Sequence, residues 1–308
     1  MKEKNNLFYK MGIDLGGSHI AIGVVDSNGK ILEKIEKRLN GIITKEVKRV
    51  IEETIIESFN KFKEEYKIIE IGIAIPGTVT KDVVVKSVNL GLQNYKIIEE
   101  LQKKINIPIK IRNDAKCAAI AESTYGSLKK YERALFLTLG TGIGGAVIID
   151  NKLLNTGNLP GCEIGHMVIE KNGIECNCGR RGCFERYASM KAFKNNLRKA
   201  LGYTEEVSGK ELLAIMKNTR KKDENYKIIE KVKKEYIEYL GLGIANLVNI
   251  FEPEAIGIGG SFVYFGEVLL EDLKEEFDSK NLLFNPRKDI NIQTAVLGNE
   301  AGIIGAVL

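Results

Sequence analysis

The sequence predicts an α/β protein of two similar domains facing each other across a cleft, and three observations carry that expectation. Residues Ile13 to Asp26 (IDLGGSHIAIGVVD) recur without a gap as Leu137 to Asp150 (LTLGTGIGGAVIID), which places Gly16 on Gly140. Each copy reads as an apolar strand, a glycine turn, a second apolar strand, and a turn (Ser27-Asn28-Gly29, or Asn151) into a third short strand. Each half then carries an amphipathic helix and a strand ending in glycine. In the first half the helix spans Thr44 to Lys67, with Val47, Val50, Ile51, Ile55, Phe59 and Phe62 on one stripe, and the strand is Ile71 to Gly77. The counterparts are a helix around Tyr226 to Ile250 and the strand Ala255 to Ser261 (AIGIGGS). Finally, the 31 glycines form no linker but gather in four short clusters at the ends of β-branched runs. A duplicated hairpin-plus-βα module of this kind packs as two α/β layers, with ligands at the strand ends in the cleft.

The domain boundary is expected near Ile111 to Asp114, where a strand (Ile107 to Ile111) meets the helix opening the second half. This gives domains of 1–112 and 113–299, with 300–308 (EAGIIGAVL) a small-residue helix returning to the first. The stretch Met190 to Lys234 reads as helical and heavily charged, with Arg220-Lys221-Lys222 a solvated surface. At 308 residues, 44% hydrophobic and 28% charged, the chain can bury a sizeable core, and disorder is excluded. A net charge of +5 is too weak a field to point to nucleic acid. Met1 to Lys10 lacks the apolar stretch of a signal peptide, and no apolar run approaches the ~18 residues of a membrane span. No membrane partner and a cytoplasmic location are expected.

Glycines followed by a hydroxyl residue let backbone N–H groups approach phosphate oxygens. Asp14, Gly16, Gly17 and Ser18 form the first such turn, in which the Asp can hold Mg²⁺ directly or through water. Gly140, Thr141, Gly142, Gly144 and Gly145 supply a second, and Gly257, Gly259, Gly260 and Ser261 a third. Three such turns suit a nucleotide triphosphate, whereas a Rossmann reading fails because the first cluster leads into a strand. His19 reads as a polar contact on the phosphate side. Asn113-Asp114 precedes a strong helix former, AKCAAIAESTY. Either residue can be the N-cap, and Asp114 can also be the general base for a substrate hydroxyl, its anion stabilised by the helix N-terminus.

The densest signal is Glu163 to Glu185 (EIGHMVIEKNGIECNCGRRGCFE). Adjacent cysteines separated by one residue make a poor disulfide, so the three thiols and His166 read as a metal set. His166, Cys176, Cys178 and Cys183 suit tetrahedral Zn²⁺ of the structural kind, since four protein ligands leave no open position for water. Zinc would present Glu163 and Glu185 rigidly to a hydroxyl-rich ligand. Cys117 and Cys162 read as inert packing.

These residues resemble the ROK family of repressors and sugar kinases. The motifs occur in order: DLGGSH at 14–19, PG at 76–77, ND at 113–114, GTGIGG at 140–145, EIGH at 163–166, CNCGRRGC at 176–183 and GIGGS at 257–261. The resemblance implies a two-lobed, ribonuclease H-like fold of the actin-like ATPase superfamily and ATP-dependent phosphorylation of a hexose or N-acylated amino sugar. It makes Asp114 the base and gives Asn113, Glu163, His166 and Glu185 to the sugar hydroxyls, with His166 also on the zinc. Gly77, Thr78 and Asn89 would line the sugar site. The sequence departs from the family at Ser18-His19, at Cys162 and at Gly91-Leu92-Gln93, where an aromatic is usual.

Glucose phosphorylated at its 6-hydroxyl is the expected reaction, with N-acetylmannosamine or N-acetylglucosamine as runner-up and fructose, mannose and allose behind. A homodimer or homotetramer is expected. A sugar-responsive repressor is disfavoured because only 10 residues precede Met11, too few for a helix-turn-helix. A silent sugar-binding module is disfavoured because Asp114 and the glycines are retained.

Overall fold

The computed structural model describes residues 7–39, 44–154, 161–279, 283–284 and 289–308; residues 1–6 of the basic amino-terminal stretch lie outside these. By its internal contacts the chain divides into two units. The first comprises Met1–Lys129, Lys152–Gly161 and Leu297–Leu308, and the second Lys130–Asn151 and Cys162–Val296.

The first unit opens with β1 (Tyr9–Leu15), β2 (His19–Val25) and β3 (Ile31–Arg38), then α1 (Thr44–Phe62) and β4 (Ile68–Ile75). A small antiparallel sheet follows, β5 (Thr78–Val79), β6 (Val84–Ser87) and β7 (Leu92–Tyr95), and then α2 (Ile97–Gln102), β8 (Ile109–Asn113) and α3 (Asp114–Thr124). The main sheet has the order β3-β2-β1-β4-β8. The β1–β2–β3 strands are antiparallel, and β4 and β8 run parallel to β1. Alternation explains the hairpin, and the stripe on α1 explains its seat: Val47, Ile51, Ile55, Phe59 and Phe62 all enter the core with Ile13, Ile22 and Ile73. The helix stops at Phe62 rather than Lys67: 63–67 forms a turn in which the Tyr66 N–H donates to the Phe62 carbonyl and the Tyr66 ring packs edge-on against Tyr9 before β4 begins. The strand expected at 107–111 forms at 109–113.

The second unit contains β9 (Ala134–Leu139) and β10 (Ile143–Ile149); β11 (Lys152–Leu153) falls in the first. Then come α4 (Glu185–Ala188), α5 (Met190–Ala200), α6 (Gly209–Asn218), α7 (Glu224–Phe251), β12 (Ala255–Gly259), α8 (Phe262–Ser279) and β13 (Asn291–Thr294). Its strands run β10-β9-β12-β13, with β10 antiparallel to β9 and the others parallel. The charged stretch 190–234 is thus broken into separate helices, α6 beginning at a capping box made by Ser208 and Glu211. Phe136, Phe193, Tyr236, Leu240, Phe262 and Leu269 are buried.

The sequence repeat is gapless, but the two hairpins are not identical. Leu15 pairs with Ile20, whereas Leu139 pairs with Ile143, so the second turn is one residue tighter. Gly144 and Gly145 therefore belong to β10 and not to the turn.

The chain closes with α9 (Ala301–Ala306), buried along all its residues and packed on β1, β4 and α3. This close approach requires glycine on both sides: a Cβ on Gly72 would collide with the Ala306 carbonyl, and one on Gly305 with that of Cys117. The contact boundary falls at 129/130 rather than 112/113 because α3 packs against α9 within the first unit. Among the described residues no helix is long and apolar enough to cross a membrane.

Candidate active site and metal-binding loop

In the first unit the predicted residues gather at the carboxyl ends of β1, β4 and β8, where a parallel arrangement leaves backbone groups and side chains free for ligands. Asp14 is the penultimate residue of β1. Burial, reinforced by the charge of Asp114 and opposed by Lys34, pushes its pKa from 3.8 up to about 7. The small residue Gly302 of α9 lies against it, since a Cβ there would meet the Asp14 carboxyl at 2.5 Å. After Asp14 the turn is closed by the Gly16 N–H donating to the His19 carbonyl at 2.9 Å. The His19 imidazole lies over Gly16, and Gly17 adjoins Asn89, so the phosphate-type turn and the Asn89 loop are neighbours.

Asn113 and Asp114 take different parts. Asn113 is the N-cap of α3: its Oδ1 accepts from the Lys116 N–H at 3.2 Å, and its Nδ2 donates to the Gly77 carbonyl at 3.0 Å. Its amide thus ties the Gly77-Thr78 segment to the helix, which modifies its expected role as a grip on sugar hydroxyls. Gly77 itself sits at φ +106. Asp114 is the first residue of the helix and accepts from the Ala115 N–H at 2.8 Å. That bond favours the anion, as expected at a helix N-terminus, but burial outweighs it and the Asp114 pKa is raised above 3.8. Cys117, one helical turn on, is fully buried, and burial lifts its thiol to about 12, which fits inert packing.

In the second unit the β9–β10 turn carries Gly140, Thr141 and Gly142, closed by the Gly140 N–H donating to the Gly142 carbonyl at 3.0 Å. Gly145, buried in β10 against Ile164, is a packing residue and not part of a phosphate cradle. Likewise Gly257 and Gly259 lie inside β12, and only Gly260, at φ +72, makes the turn that leads through Ser261 into α8. An 18-residue helix entered through such a turn offers its free N–H groups to an anion.

The loop from Glu163 to Glu185 folds around His166, Cys176, Cys178 and Cys183, whose ligand atoms all lie within 4.8 Å of one another. Cys176 Sγ is 3.7 Å from His166 Nδ1, and Cys178 Sγ is 3.5 Å from Cys183 Sγ. Bonds of about 2.3 Å to sulfur and 2.0–2.1 Å to nitrogen give a tetrahedron with edges of roughly 3.5–3.8 Å, so these two separations match such edges and the four donors as a set are compatible with zinc. Nδ1 faces the thiols, leaving Nε2 for another partner. The loop is held by Arg180, which donates to the His166 carbonyl at 2.8 Å, and by the Tyr187 hydroxyl, which accepts from the Ile174 N–H at 2.7 Å. Cys162, just before Glu163, turns the chain at φ +61. Glu163 is exposed, and its carbonyl accepts from the His166 N–H. Glu185 opens α4, and its Oε2 accepts from the Ile143 N–H at 3.0 Å. This bond, invisible in sequence, links the metal loop to the glycine turn, and a Cβ on Gly142 would displace it.

Two α/β units, each with an antiparallel hairpin joined to parallel strands and a glycine turn at the hairpin tip, define the actin-like ATPase fold. The chain belongs to the ROK family, matched over residues 10–308. It is 31% identical to a glucokinase of Thermotoga maritima over 96% of this chain and 95% of that one. It is 29% identical to a xylose repressor of Caldicellulosiruptor bescii over 96% of this chain and 76% of that one. Its structure is similar to that of a ROK glucokinase from Streptomyces griseus in complex with glucose and AMPPNP, with TM-score 0.78, 27% identity and 97% of each chain covered.

Proposed function

We propose that the chain is an ATP-dependent hexose kinase whose substrate is glucose, phosphorylated at the 6-hydroxyl. The observation that carries this reading is the Asp14–Asp114 relationship: two buried carboxylates at the strand ends of the first unit, the charge of Asp114 adding to burial in raising the pKa of Asp14. A purely sugar-binding site has no use for that repulsion. A phosphoryl-transfer site uses one carboxylate for the cation and one for the proton.

In this reading Asp114 accepts the proton of the sugar 6-hydroxyl as its oxygen bonds to the γ-phosphorus and the bond to the ADP oxygen breaks. Burial raises its basicity above that of an ordinary carboxylate, and the Ala115 N–H opposes this by favouring the anion. Asp14 fits Mg²⁺, because a divalent cation would offset both the burial and the Asp114 charge that lift its pKa; held there, it would supply charge neutralisation at the phosphates. Backbone N–H groups at Gly16, Gly17 and Ser18, with His19 beside them, and at Gly140, Thr141, Gly142 and Gly260 serve the nucleotide. Thr78, Asn89, Glu163, His166 and Glu185 serve the sugar, and Asn113 holds Gly77 in place. His166, Cys176, Cys178 and Cys183 would hold zinc in a structural role, keeping the loop rigid, with no ligand position left for water.

Short donors and acceptors suit the equatorial hydroxyls of an unsubstituted pyranose, and a site built for a particular hydroxyl rejects analogues lacking it. ADP release measured with Mg²⁺ across a sugar panel tests the reading, glucose being expected to show the highest kcat/KM. A lead for N-acetylmannosamine or N-acetylglucosamine overturns the substrate. Binding of a sugar without any phosphorylation overturns the enzyme and favours a regulator.

A further inference from the structure

Glu122 lies on α3 two helical turns beyond Asp114 and has no exposed surface. Its Oε2 accepts from both the N–H and the hydroxyl of Ser127, at 2.7 and 2.9 Å, and its Oε1 accepts from the Leu297 N–H at 2.8 Å. Its main-chain carbonyl accepts from Gly126 and Leu128 as well. Taking a carboxylate out of water is costly, and an apolar side chain would seal this spot without that cost. What an apolar residue cannot do is hold two separate backbone N–H groups at one point.

Those two groups mark where the chain passes between the units. Ser127 stands just before the crossing at Lys129/Lys130, and Leu297 is the first residue after the return from the second unit. Beyond Leu297, Gly298 at φ +55 turns the chain into α9, where Ala301 and Ile304 pack on Ala121 of α3. The same α9 lays Gly302 against Asp14. The carboxylate therefore joins the helix that begins at Asp114, the helix that abuts Asp14, and two of the chain's crossings.

We propose that Glu122 is a positioning residue of the phosphoryl-transfer site, a clamp that anchors α3 and α9 at the same point as the outgoing and returning chain. The proposal rests on the kinase reading for its catalytic consequence, and the experiment separates the two. In the full chain, Glu122→Gln replaces one acceptor oxygen by an N–H donor facing other donors. Gly126→Ala reaches the same end without touching Glu122, since its Cβ would collide with Oε2. Both are compared with Asp114→Asn for kcat, for KM of ATP and sugar, for Tm, and for hydrogen exchange at the Ser127 and Leu297 amides.

The clamp predicts, for Glu122→Gln and Gly126→Ala alike, a kcat lowered roughly tenfold or more at temperatures well below Tm, with KM changed less than about threefold. It also predicts exchange at both amides faster by roughly tenfold, while strand amides such as Ile73 stay protected. Wild-type kcat and unchanged exchange, with only a lower Tm, would overturn it. Asp114→Asn should lose kcat without altering exchange at Ser127 and Leu297. Should the wild-type chain phosphorylate no sugar, the kinase reading fails alone: accelerated exchange then still supports the clamp, and unchanged exchange overturns it. If Glu122→Gln does not fold, Gly126→Ala decides between these outcomes by the same measurements.

Discussion

Asp114 lies close enough to Asp14 for its charge, added to burial, to lift the Asp14 pKa from 3.8 to about 7. In the metal-free protein the folded chain therefore retains a proton that the unfolded chain releases near pH 4. The stabilisation is complete below that point and is lost as the pH rises towards 7. Asp14→Asn removes this dependence. Without divalent cation, the variant should be the more stable protein at pH 7–8, by up to about 4 kcal/mol, with the difference shrinking as the pH falls to 4. Urea unfolding at several pH values measures it, and parallel curves for the two proteins would show that Asp14 titrates as in water. Added Mg²⁺ should raise wild-type stability and leave Asp14→Asn unchanged.

Asp114→Asn should keep the fold, because the N-cap of α3 is Asn113 and not Asp114. An amide cannot take the hydroxyl proton, so kcat is expected to fall by roughly 10²–10⁴ with ATP affinity retained. Since burial raises the Asp114 pKa, the wild-type rate should decline on acidification at a pH above the usual carboxylate range. A variant with near-normal kcat would leave Asp114 as a helix-end residue only.

Cys183→Ser removes one of four candidate ligands from a loop otherwise held by hydrogen bonds and two short β-bridges. Elemental analysis should find one zinc per wild-type chain and a deficit in the variant. Sugar affinity and Tm should fall together, the former by roughly 10–100-fold. A zinc-free wild-type protein with full activity would end the structural-zinc reading.

Gly302→Ala puts a methyl group against the Asp14 carboxyl. Overpacking of this kind costs about 1–3 kcal/mol, so Tm should drop. The KM for Mg·ATP should rise more than that for sugar, because Asp14 is displaced on the cation side. An equal rise in both, or none, would separate α9 from the site.

Local chemistry was enough for much of this protein. The strand–turn–strand repeat, the α1 stripe and the spacing of His166 and the three cysteines are set by periodicity and ligand geometry within short stretches, and they read directly from the chain. The family followed from the same motifs. Other features depend on residues far apart in sequence. That Gly145 packs on Ile164 while Gly142 stays in the turn follows from a one-residue difference in hairpin register, which a gapless repeat conceals. That Asn113 caps α3 and holds Gly77 needed the strand ends of β4 and β8 side by side. The pKa of Asp14 is a property of burial and of a neighbour one hundred residues away. Nothing local distinguishes Glu122 from any other polar residue of a helix, and only the return of the chain at Leu297 brings a donor to its second oxygen. Sequence specifies which groups can cap, ligate or ionise; desolvation and long-range contact decide which of them do.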